Sequence, residues 1–269
     1  MSFLRKRGEH KGENGRVLVI GGSKDYIGAP ALAGMAAFRT GVDIVTIAAP
    51  EKVAWTINSY SPDLITKKFD GDFFNWDNVK DLIEFAEKFD VILIGNGMGL
   101  EPGTGDLIRE VVDRLPQPKV IDADAIKALH GKMDIFNAVL TPHSKEFEIF
   151  SGERLPGGLD EKAALVKLYA KKNKIILLKG PVDIITDGET VRYNYTGNNG
   201  MTIGGTGDVL AGITAGLAAQ SNDLFNSAFA AAYLNGAVGD YLLKKKGIGF
   251  TASDIVELIP KIKKKIRWI

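Results

Sequence analysis

Cysteine is absent from the 269-residue sequence, which excludes disulfides, thiolate metal sites and a cysteine nucleophile. Neither sign of charge is in excess, because 34 Lys and Arg against 33 Asp and Glu leave a formal net charge of +1, so no nucleic-acid partner is expected. No apolar run reaches the roughly 18 residues of a membrane span, and the polar first residues do not resemble a secretory signal. We therefore expect a cytoplasmic globular protein that acts on a small molecule and has no membrane partner.

The common nucleotide-binding fingerprints are also missing. No Gly-Lys-Ser/Thr occurs, so a P-loop does not fit. Three glycine-rich loops, GGSKDYIG, GNGMGL and GGTGDVLA, depart from the G-x-G-x-x-G spacing of dinucleotide sites. Any phosphate chemistry in this protein must therefore use a different arrangement of backbone amides.

Short β-branched runs alternate with helical segments along most of the sequence, a pattern typical of a parallel sheet covered by helices. Seven runs are predicted as strands: RVLVIGG, DIVTIAA, DVILIGNG, KVIDAD, AVLTPH, IILLKG and VDIIT. From Asp208 onward the pattern becomes almost entirely helical. With 45% hydrophobic residues and no linker or repeat, residues 1–269 are predicted to form a single α/β domain. In such folds, ligands bind beyond the carboxyl ends of the strands.

The stretch GGTGDVLAGI combines glycines, one carboxylate and the start of an apolar helix. We predict that the helix begins near Asp208 and that the free amides of Gly205, Thr206 and Gly207 form an anion hole at its positive end. Asp208 fits two roles, an N-cap worth about 1 kcal/mol or a catalytic carboxylate, and spacing alone does not decide between them. The density of glycine favours close approach of the backbone to a ligand.

Charged residues follow two other predicted strands. Asp122 and Asp124 come after KVI, where they fit either a helix cap with a solvated acid or a metal or substrate contact. Lys179 lies at the turn between IILL and VDIIT, as a solvated loop residue or as a phosphate contact. The residue types leave both alternatives open at each position.

A further helix start is predicted in LTPHSKEF. Thr141 would be its N-cap and Pro142 its first residue, which would hold His143 in the first turn. The chain has only three histidines, and His143 fits a structural or a functional role. Spacing does not show whether Glu146 faces the same site or solvent.

Taken together and in order, six blocks of the sequence resemble the ADP- or ATP-dependent NAD(P)H-hydrate dehydratases, a family of the ribokinase-like superfamily. The blocks are GGSKDYIGAPALAGMAAFRTGVDIVTIAAP, GNGMG, IDADAI, LTPHSKEFEIFSG, LLKG and NNGMTIGGTGDVLAGI. The resemblance runs from about Lys11 to the final helix, and its last block is highly specific. It implies a ribokinase-like three-layer αβα sandwich with a mostly parallel central sheet.

The resemblance implies a repair reaction on nicotinamide cofactors. The S-epimer of NAD(P)H hydrated on its nicotinamide ring would be returned to NAD(P)H at the expense of ADP, giving AMP and phosphate, or of ATP. The ring hydroxyl would be phosphorylated, and phosphate would then leave. Mg²⁺ is expected with the nucleotide, held mostly by the phosphates and water, so no residue is predicted as a metal ligand.

The family pattern also implies roles for individual residues. Asp208 would be the general base, beside an anion hole formed by Gly205, Thr206 and Gly207. The residues that would contact the hydrated dinucleotide are Ala29, Gly97, His143 and Asp208. The residues that would hold the adenine nucleotide are Lys179, Gly180, Pro181, Val182, Asp183 and Gly207.

The sequence departs from the usual family pattern in three places: GNG stands for GPG, HSKEF stands for HPGEF, and Asp183 stands for threonine. Asn96 and Ser144 replace proline, and each keeps the matching glycine or histidine beside it. Asp183 replaces threonine in the segment that follows KGPV. A carboxylate near a nucleotide phosphate is repulsive unless its side chain points elsewhere.

Two other functions remain open at this point. One is a ribokinase-like small-molecule kinase acting on a vitamin-precursor alcohol, against which the blocks LTPHSKEF and YIGAPALAG argue. The other is a nucleotide-sensing module without turnover, against which Asp208 beside GGTG argues. No fused epimerase domain is expected, because the first predicted strand begins about fifteen residues from the start. Alanine- and glycine-rich helices predict a homo-oligomer, of which a tetramer is one form.

Overall fold

The computed structural model describes residues 10, 12–130 and 133–266. In this part of the chain nine strands form one sheet. They are β1 (Arg16–Ile20), β2 (Ile44–Pro50), β3 (Ile65–Phe69), β4 (Val91–Ile94), β5 (Lys119–Ile121), β6 (Ala138–Leu140), β7 (Lys174–Leu178), β8 (Asp183–Thr186) and β9 (Val191–Asn194).

The strand order is β3-β2-β1-β4-β5-β6-β7-β8-β9. The pairs among the first seven strands are parallel, and the β7–β8 and β8–β9 pairs are antiparallel. Because β2 and β3 lie on one side of β1 and all later strands on the other, the order reverses next to β1. A crevice opens at such a switch point, at the carboxyl ends of the strands.

Helices connect most of the strands. They are α1 (Gly28–Arg39), α2 (Glu51–Tyr60), α3 (Val79–Ala86), α4 (Pro102–Arg114), α5 (Ala123–Ala128), α6 (Ser144–Ser151), α7 (Leu159–Tyr169), α8 (Thr206–Ser221), α9 (Leu224–Lys246) and α10 (Ala252–Lys263). None of these helices has the length and apolar character needed to cross a membrane, over the residues described.

The two faces of the sheet bury separate hydrophobic layers. Alternate side chains of β1 show the division, because Val17 and Val19 pack with α1, α2, α8, α9 and α10, whereas Leu18 and Ile20 pack with α3 to α7. All four side chains are fully buried. Strands that are covered on both faces read as continuous apolar runs, which is why β1 and β4 stand out in the sequence. The result is the predicted three-layer αβα sandwich with a mostly parallel sheet.

All seven predicted strands are present, and two strands were not predicted. The edge strand β3 carries Lys67 and Lys68 in a five-residue run, so it lacks an apolar pattern. Each ammonium group lies over an aromatic ring, and the nitrogen of Lys68 is 4.3 Å from the ring centre of Trp55. At the opposite edge, β9 is the short run VRYN, which is equally polar.

The glycine- and alanine-rich helices pack against each other within this chain. A Cβ atom on Gly212 of α8 would overlap the backbone carbonyl oxygen of Ala33 in α1, so the two helices touch through their backbones. This contact uses the small side chains that predicted close helix packing. Whether copies of the chain also associate stays a prediction.

Candidate active site

Four polar side chains meet where β4, β5, β6 and β7 end. Asn96, Asp122, Thr141 and Lys179 each lie within two residues of the end of one of these strands. Asp122 is the centre of the group: its Oδ2 accepts from Asn96 Nδ2 (3.1 Å), and its Oδ1 accepts from Thr141 Oγ1 (2.7 Å) and Lys179 Nζ (3.0 Å). Only 2% of Asp122 is exposed. The carboxyl ends of the parallel strands thus bring together residues that are up to 83 positions apart in the sequence (Asn96 to Lys179).

Asp122 was predicted as a helix cap with a solvated acid or as a metal or substrate contact. It stands at the N-cap position of α5, but its side chain makes no capping hydrogen bond. The solvated interpretation is wrong, because the carboxylate is buried and paired with a lysine. Asp124 lies in the first turn of α5, where it accepts from the amide of Gly99 (2.9 Å) and pairs with Lys127 (2.9 Å).

Asp208 joins this group from the other side of the sheet. It lies in the first turn of α8, and its Oδ1 accepts from Asn96 Nδ2 at 2.8 Å. Burial, reinforced by the nearby negative charge of Asp122, raises the pKa of Asp208 to about 6, although Asn96 and Lys179 act in the opposite direction. The carboxylate is therefore ionised at neutral pH and takes up a proton only slightly below it.

The first turn of α8 offers free backbone donors. The helix begins at Thr206, two residues earlier than the predicted start at Asp208, and Gly205 is its N-cap in the left-handed conformation (φ 93°). The first hydrogen bond of the helix runs from Val209 N–H to the Gly205 carbonyl (3.0 Å). The amides of Thr206, Gly207 and Asp208 precede it, so they have no acceptor inside the helix. Together with the positive end of the helix dipole they form a site suited to an anion.

Lys179 lies between the carboxylates of Asp122 and Glu146 and the amino end of α8. Its Nζ lies 3.8 Å from Glu146 Oε2, in addition to the contact with Asp122, and it is close to Gly207, where an added Cβ would stand 3.3 Å away. Burial alone would lower the pKa of Lys179, but the two carboxylates outweigh it and raise the pKa above its ordinary value. Lys179 is therefore a cation, and the solvated-loop interpretation is wrong.

The helix start in LTPHSKEF lies later than predicted. Helix α6 begins at Ser144, with His143 as its N-cap: His143 Nδ1 accepts from the amide of Glu146 (3.3 Å), and Glu146 Oε2 accepts from the amide of His143 (3.0 Å). Thr141 is thus not a cap, because its hydroxyl donates to Asp122. Glu146 is buried and faces the site. Burial lowers the pKa of His143 despite the neighbouring Glu146, so the ring is neutral at pH 7.

A cavity of about 670 Å³ opens beside this network. It is bounded by the β7–β8 turn, by residues 196–199, by the first turn of α8 and by Asn235 and Gly236 of α9. Of the residues predicted to hold a nucleotide, Val182 does not line the cavity. Those that do are Lys179, Gly180, Pro181, Asp183 and Gly207.

Asp183 turns its carboxylate into its own loop. Oδ1 accepts from the amide of Gly180 (3.0 Å) and Oδ2 from Asn194 Nδ2 (2.9 Å). Burial raises the pKa of Asp183 above its ordinary value, against the effect of these hydrogen bonds. The side chain therefore braces the β7–β8 turn, which removes the repulsion expected of a carboxylate aimed at a phosphate.

Ala29 and Gly97 lie next to each other, away from the cavity lining. Gly97 is in the left-handed conformation (φ 68°), and a Cβ on it would come within 2.7 Å of Tyr26 Cβ and 3.2 Å of Ala29 Cβ. Gly97 follows Asn96, so this pair adjoins the side chain that bonds Asp208. The predicted dinucleotide contacts at Ala29, Gly97 and Asp208 are thus close in space, whereas His143 lines the cavity.

Comparison with known proteins identifies the family. A family model described as NAD(P)H-hydrate dehydratase matches residues 17–261. The chain belongs to this family. Curated members of the dehydratase family that resemble it include the bifunctional NAD(P)H-hydrate repair enzyme Nnr of Pyrobaculum aerophilum, 42% identical over 97% of this chain. The chain spans about half (53%) of that relative's length. The ADP-dependent (S)-NAD(P)H-hydrate dehydratase of Cenarchaeum symbiosum is 37% identical over 97% of this chain and 92% of its own length.

Solved structures agree with the family assignment and with the ribokinase-like fold. The ADP/ATP-dependent NAD(P)H-hydrate dehydratase of Bacillus subtilis, co-crystallised with ATP and Mg²⁺, superposes with a TM-score of 0.84 at 26% identity, over 97% of this chain and 93% of that one. A hydroxyethylthiazole kinase from Pyrococcus horikoshii has a TM-score of 0.61 at 16% identity, over 93% and 89% of the two chains. That second likeness concerns the fold alone.

Several polar residues of the site were not predicted as contacts. Asn96, which stands where the dehydratase family commonly has proline, joins Asp122 to Asp208. Asn235 is 6% exposed, lines the cavity and leaves its Oδ1 without a hydrogen-bond partner. The available signal was an asparagine in the otherwise small and apolar stretch AAAYLNGAVG. The departure from proline marks Asn96 but does not indicate its two partners, because they lie 26 and 112 residues away.

Proposed function

We propose that this chain dehydrates the S-epimer of NAD(P)H hydrate to NAD(P)H at the expense of ADP, which gives AMP and phosphate, or of ATP. Membership of the dehydratase family and the activity named for the relative from Cenarchaeum symbiosum support this assignment. One observation carries the mechanism: the partly buried carboxylate of Asp208 lies at the amino end of α8, among the free amides and close to the cation of Lys179.

Asp208 is the general base of this proposal. It takes the proton of the ring hydroxyl as the hydroxyl oxygen forms a bond to the terminal phosphorus of ADP. The bond from that phosphorus to the bridging oxygen breaks, and AMP leaves with its electron pair. Phosphate then leaves the ring carbon with its bonding electrons, and loss of a proton from the neighbouring ring carbon restores the double bond.

The donors around Asp208 would stabilise the charge that grows on the transferring phosphoryl group. The amides of Thr206 and Gly207 have no partner in the helix, and Lys179 adds a partly buried positive charge beside them. The amide of Gly205, which precedes the helix, completes the proposed anion hole. Fixed donors of this kind act without reorganisation during the reaction, which is the usual source of phosphoryl-transfer catalysis.

The proposed contacts of the two ligands adjoin each other, because His143 also lines the cavity. Ala29, Gly97 and His143 would contact the hydrated dinucleotide. The cavity would hold the adenine nucleotide, between the turn formed by residues 179–183 and Gly207. We also propose that the protein is cytoplasmic, where both kinds of nucleotide are present.

Mg²⁺ fits this site as a companion of the nucleotide. Both oxygens of Asp122 already accept hydrogen bonds, and no group of three or more His, Asp or Glu side chains among the described residues is arranged to hold a metal ion. These observations suit an ion held by phosphate oxygens and water. When bound, Mg²⁺ would neutralise phosphate charge, while the protein residues position the phosphates.

The assignment is tested by turnover. Purified protein, Mg²⁺ and either ADP or ATP should restore the absorbance of the reduced nicotinamide from hydrated NADH or NADPH. Asp208→Asn should lower kcat by at least about 10²-fold if Asp208 is the base. The same variant should still bind nucleotide, since Asp208 does not line the cavity.

Two outcomes would contradict the assignment. No turnover with either donor would reject the dehydratase activity, and phosphorylation of a vitamin-precursor alcohol in its place would favour a small-molecule kinase. Near-normal turnover by Asp208→Asn would show that Asp208 is not the base and has only a structural role at the start of α8.

A further inference from the structure

The side chain of Asn96 bridges two carboxylates that come from opposite sides of the sheet. Its Nδ2 donates to Asp208 Oδ1 (2.8 Å) and to Asp122 Oδ2 (3.1 Å), so each of its two hydrogens has its own acceptor. Asn96 is completely buried. The amide is therefore the only direct link between Asp122 and Asp208 among the hydrogen bonds of the described residues.

The unpaired oxygen of Asn96 shows which end of the amide is needed here. Oδ1 is buried and has no hydrogen-bond partner, which is unfavourable for a carbonyl oxygen. Turning the amide over would be unfavourable, because it would place Oδ1 against two carboxylates and leave Asp122 Oδ2 and Asp208 Oδ1 without a donor. The two anions therefore fix the orientation of the amide, and the amide fixes theirs.

The bridge also determines which oxygen of Asp208 is available. Oδ1 is occupied by Asn96, whereas Oδ2 has no hydrogen bond to any part of the chain that the structure describes. The geometry points to Asn96 as a positioning residue that keeps Asp208 ionised beside Asp122 and presents Oδ2 to the substrate hydroxyl. This inference rests on the proposed role of Asp208 as the base.

The electrostatic surroundings of Asp208 agree with this role. The charged groups that face it are Asp122 and Asp124 at the end of β5 and the start of α5, and Lys179 after β7. Burial and the two carboxylates raise the pKa of Asp208, whereas Asn96 and Lys179 lower it. Removal of the amide would therefore raise the pKa further, and the base would become protonated at a higher pH.

The kinetic test compares two substitutions of buried asparagines. Asn96→Leu keeps the number of heavy atoms and the branching of the side chain and removes its donors, so the acid limb of the kcat/KM profile should move upward by about 1 pH unit. Asn78→Leu is the matched control, because Asn78 is also buried but bonds only to the backbone of Asn75 and Asp70. Its acid limb should stay where it is in the unaltered protein. An unshifted limb in Asn96→Leu would overturn the inference.

A second measurement needs neither turnover nor a new core substitution. In the unaltered protein, NMR signals of the Asn96 side-chain amide should move between pH 5 and 7, with a midpoint near the pKa of about 6 to which burial raises Asp208. Asp208→Asn should abolish that movement. Signals that do not titrate, or that titrate equally in Asp208→Asn, would overturn the inference.

The two measurements separate this inference from the proposed function. If the protein fails to dehydrate hydrated NADH but the Asn96 signals titrate with Asp208, the bridge stands and the substrate assignment fails. If dehydration proceeds and the signals do not titrate, the substrate assignment stands and the bridge fails.

Discussion

The burial that prepares Asp208 for proton transfer works against the stability of the folded protein. Its pKa rises from 3.8 to about 6, so the folded chain binds this proton more tightly than the unfolded chain does. The stabilising contribution of the bound proton is complete below the unfolded pKa of 3.8 and is lost as the pH rises through about 6. A shift of this size corresponds to about 3 kcal/mol as an upper limit.

Replacing this carboxylate should therefore stabilise the protein while it removes activity. We expect Asp208→Asn to raise the free energy of unfolding by about 1 to 3 kcal/mol at pH 8 and to leave it nearly unchanged at pH 4. Urea unfolding at the two pH values measures the difference. The control Asp63→Asn removes an exposed carboxylate and should change the free energy by less than about 0.5 kcal/mol at both. A less stable Asp208→Asn at pH 8 would contradict this account.

At the scale of elements, the turn between β7 and β8 is held by one side chain. Asp183 opens β8 and reaches back to the amide of Gly180 and across to Asn194 at the end of β9. The turn carries Gly180 and Pro181 into the cavity wall. The shape of the proposed nucleotide site therefore depends on a residue whose two carboxylate oxygens are hydrogen-bonded within the protein.

Loss of the two Asp183 hydrogen bonds should weaken nucleotide binding more than it slows the chemical step. We expect Asp183→Ala to raise the KM for ADP by about 10-fold, which corresponds to one or two ordinary hydrogen bonds, with kcat within about 3-fold. Steady-state kinetics with varied ADP measures both. Asp187→Ala is a matched control, because Asp187 holds the neighbouring β8–β9 turn through the amides of Glu189 and Thr190. An equal rise in KM in both variants would mean that general loosening, and not the nucleotide turn, is responsible.

At the scale of the whole molecule, the contact between α1 and α8 joins the first part of the chain to the last. Gly212 allows it, since a Cβ there would overlap the Ala33 carbonyl oxygen and lie 2.9 Å from Ala36 Cβ. Backbone atoms cannot move aside as a flexible side chain can. The separation of these two helices is therefore fixed by the lack of one methyl group.

A methyl group at this position should destabilise the whole domain. We expect Gly212→Ala to lower the free energy of unfolding by about 2 kcal/mol or more, through overpacking that outweighs the better helix propensity of alanine. Thermal and urea unfolding measure the change. Gly105→Ala in α4 is the control, because its Cβ would meet only the side chain of Arg109 at 3.5 Å, and it should be neutral or stabilising by up to about 1 kcal/mol. A neutral Gly212→Ala would show that α1 and α8 can separate freely.

The sequence predicted the architecture better than the details of the site. Strands buried on both faces are apolar without interruption in β4 and, after Arg16, in β1, and the helices between the strands have clear patterns. The polar edge strands β3 and β9 have no such pattern, because only part of each strand is buried. Whether a strand lies at an edge depends on how the whole sheet assembles, so it cannot be predicted from the residue pattern of that strand.

In the site, too, the sequence predicted features that depend on neighbouring residues better than contacts between residues far apart in the sequence. The glycine loop before Asp208 predicted a helix start and a cluster of free amides, and the start was placed two residues too late. The role of Thr141 was predicted wrongly because a threonine before a proline has the local character of a cap, whereas its actual partner, Asp122, is 19 residues away. The bridge through Asn96 depends on which strands are neighbours, and spacing along the chain does not carry that information.

The lysines of β3 also affect how copies of the protein behave at high concentration. The outer side of an edge strand offers free N–H and C=O groups to which a strand of another molecule can pair. Lys67 and Lys68 place two positive charges along this edge, anchored over the rings of Phe69 and Trp55. A second copy that paired here through the same edge would bring four ammonium groups together. Lys67 and Lys68, which deprive β3 of a recognisable hydrophobic pattern, thus oppose aggregation by strand pairing at this edge of the sheet.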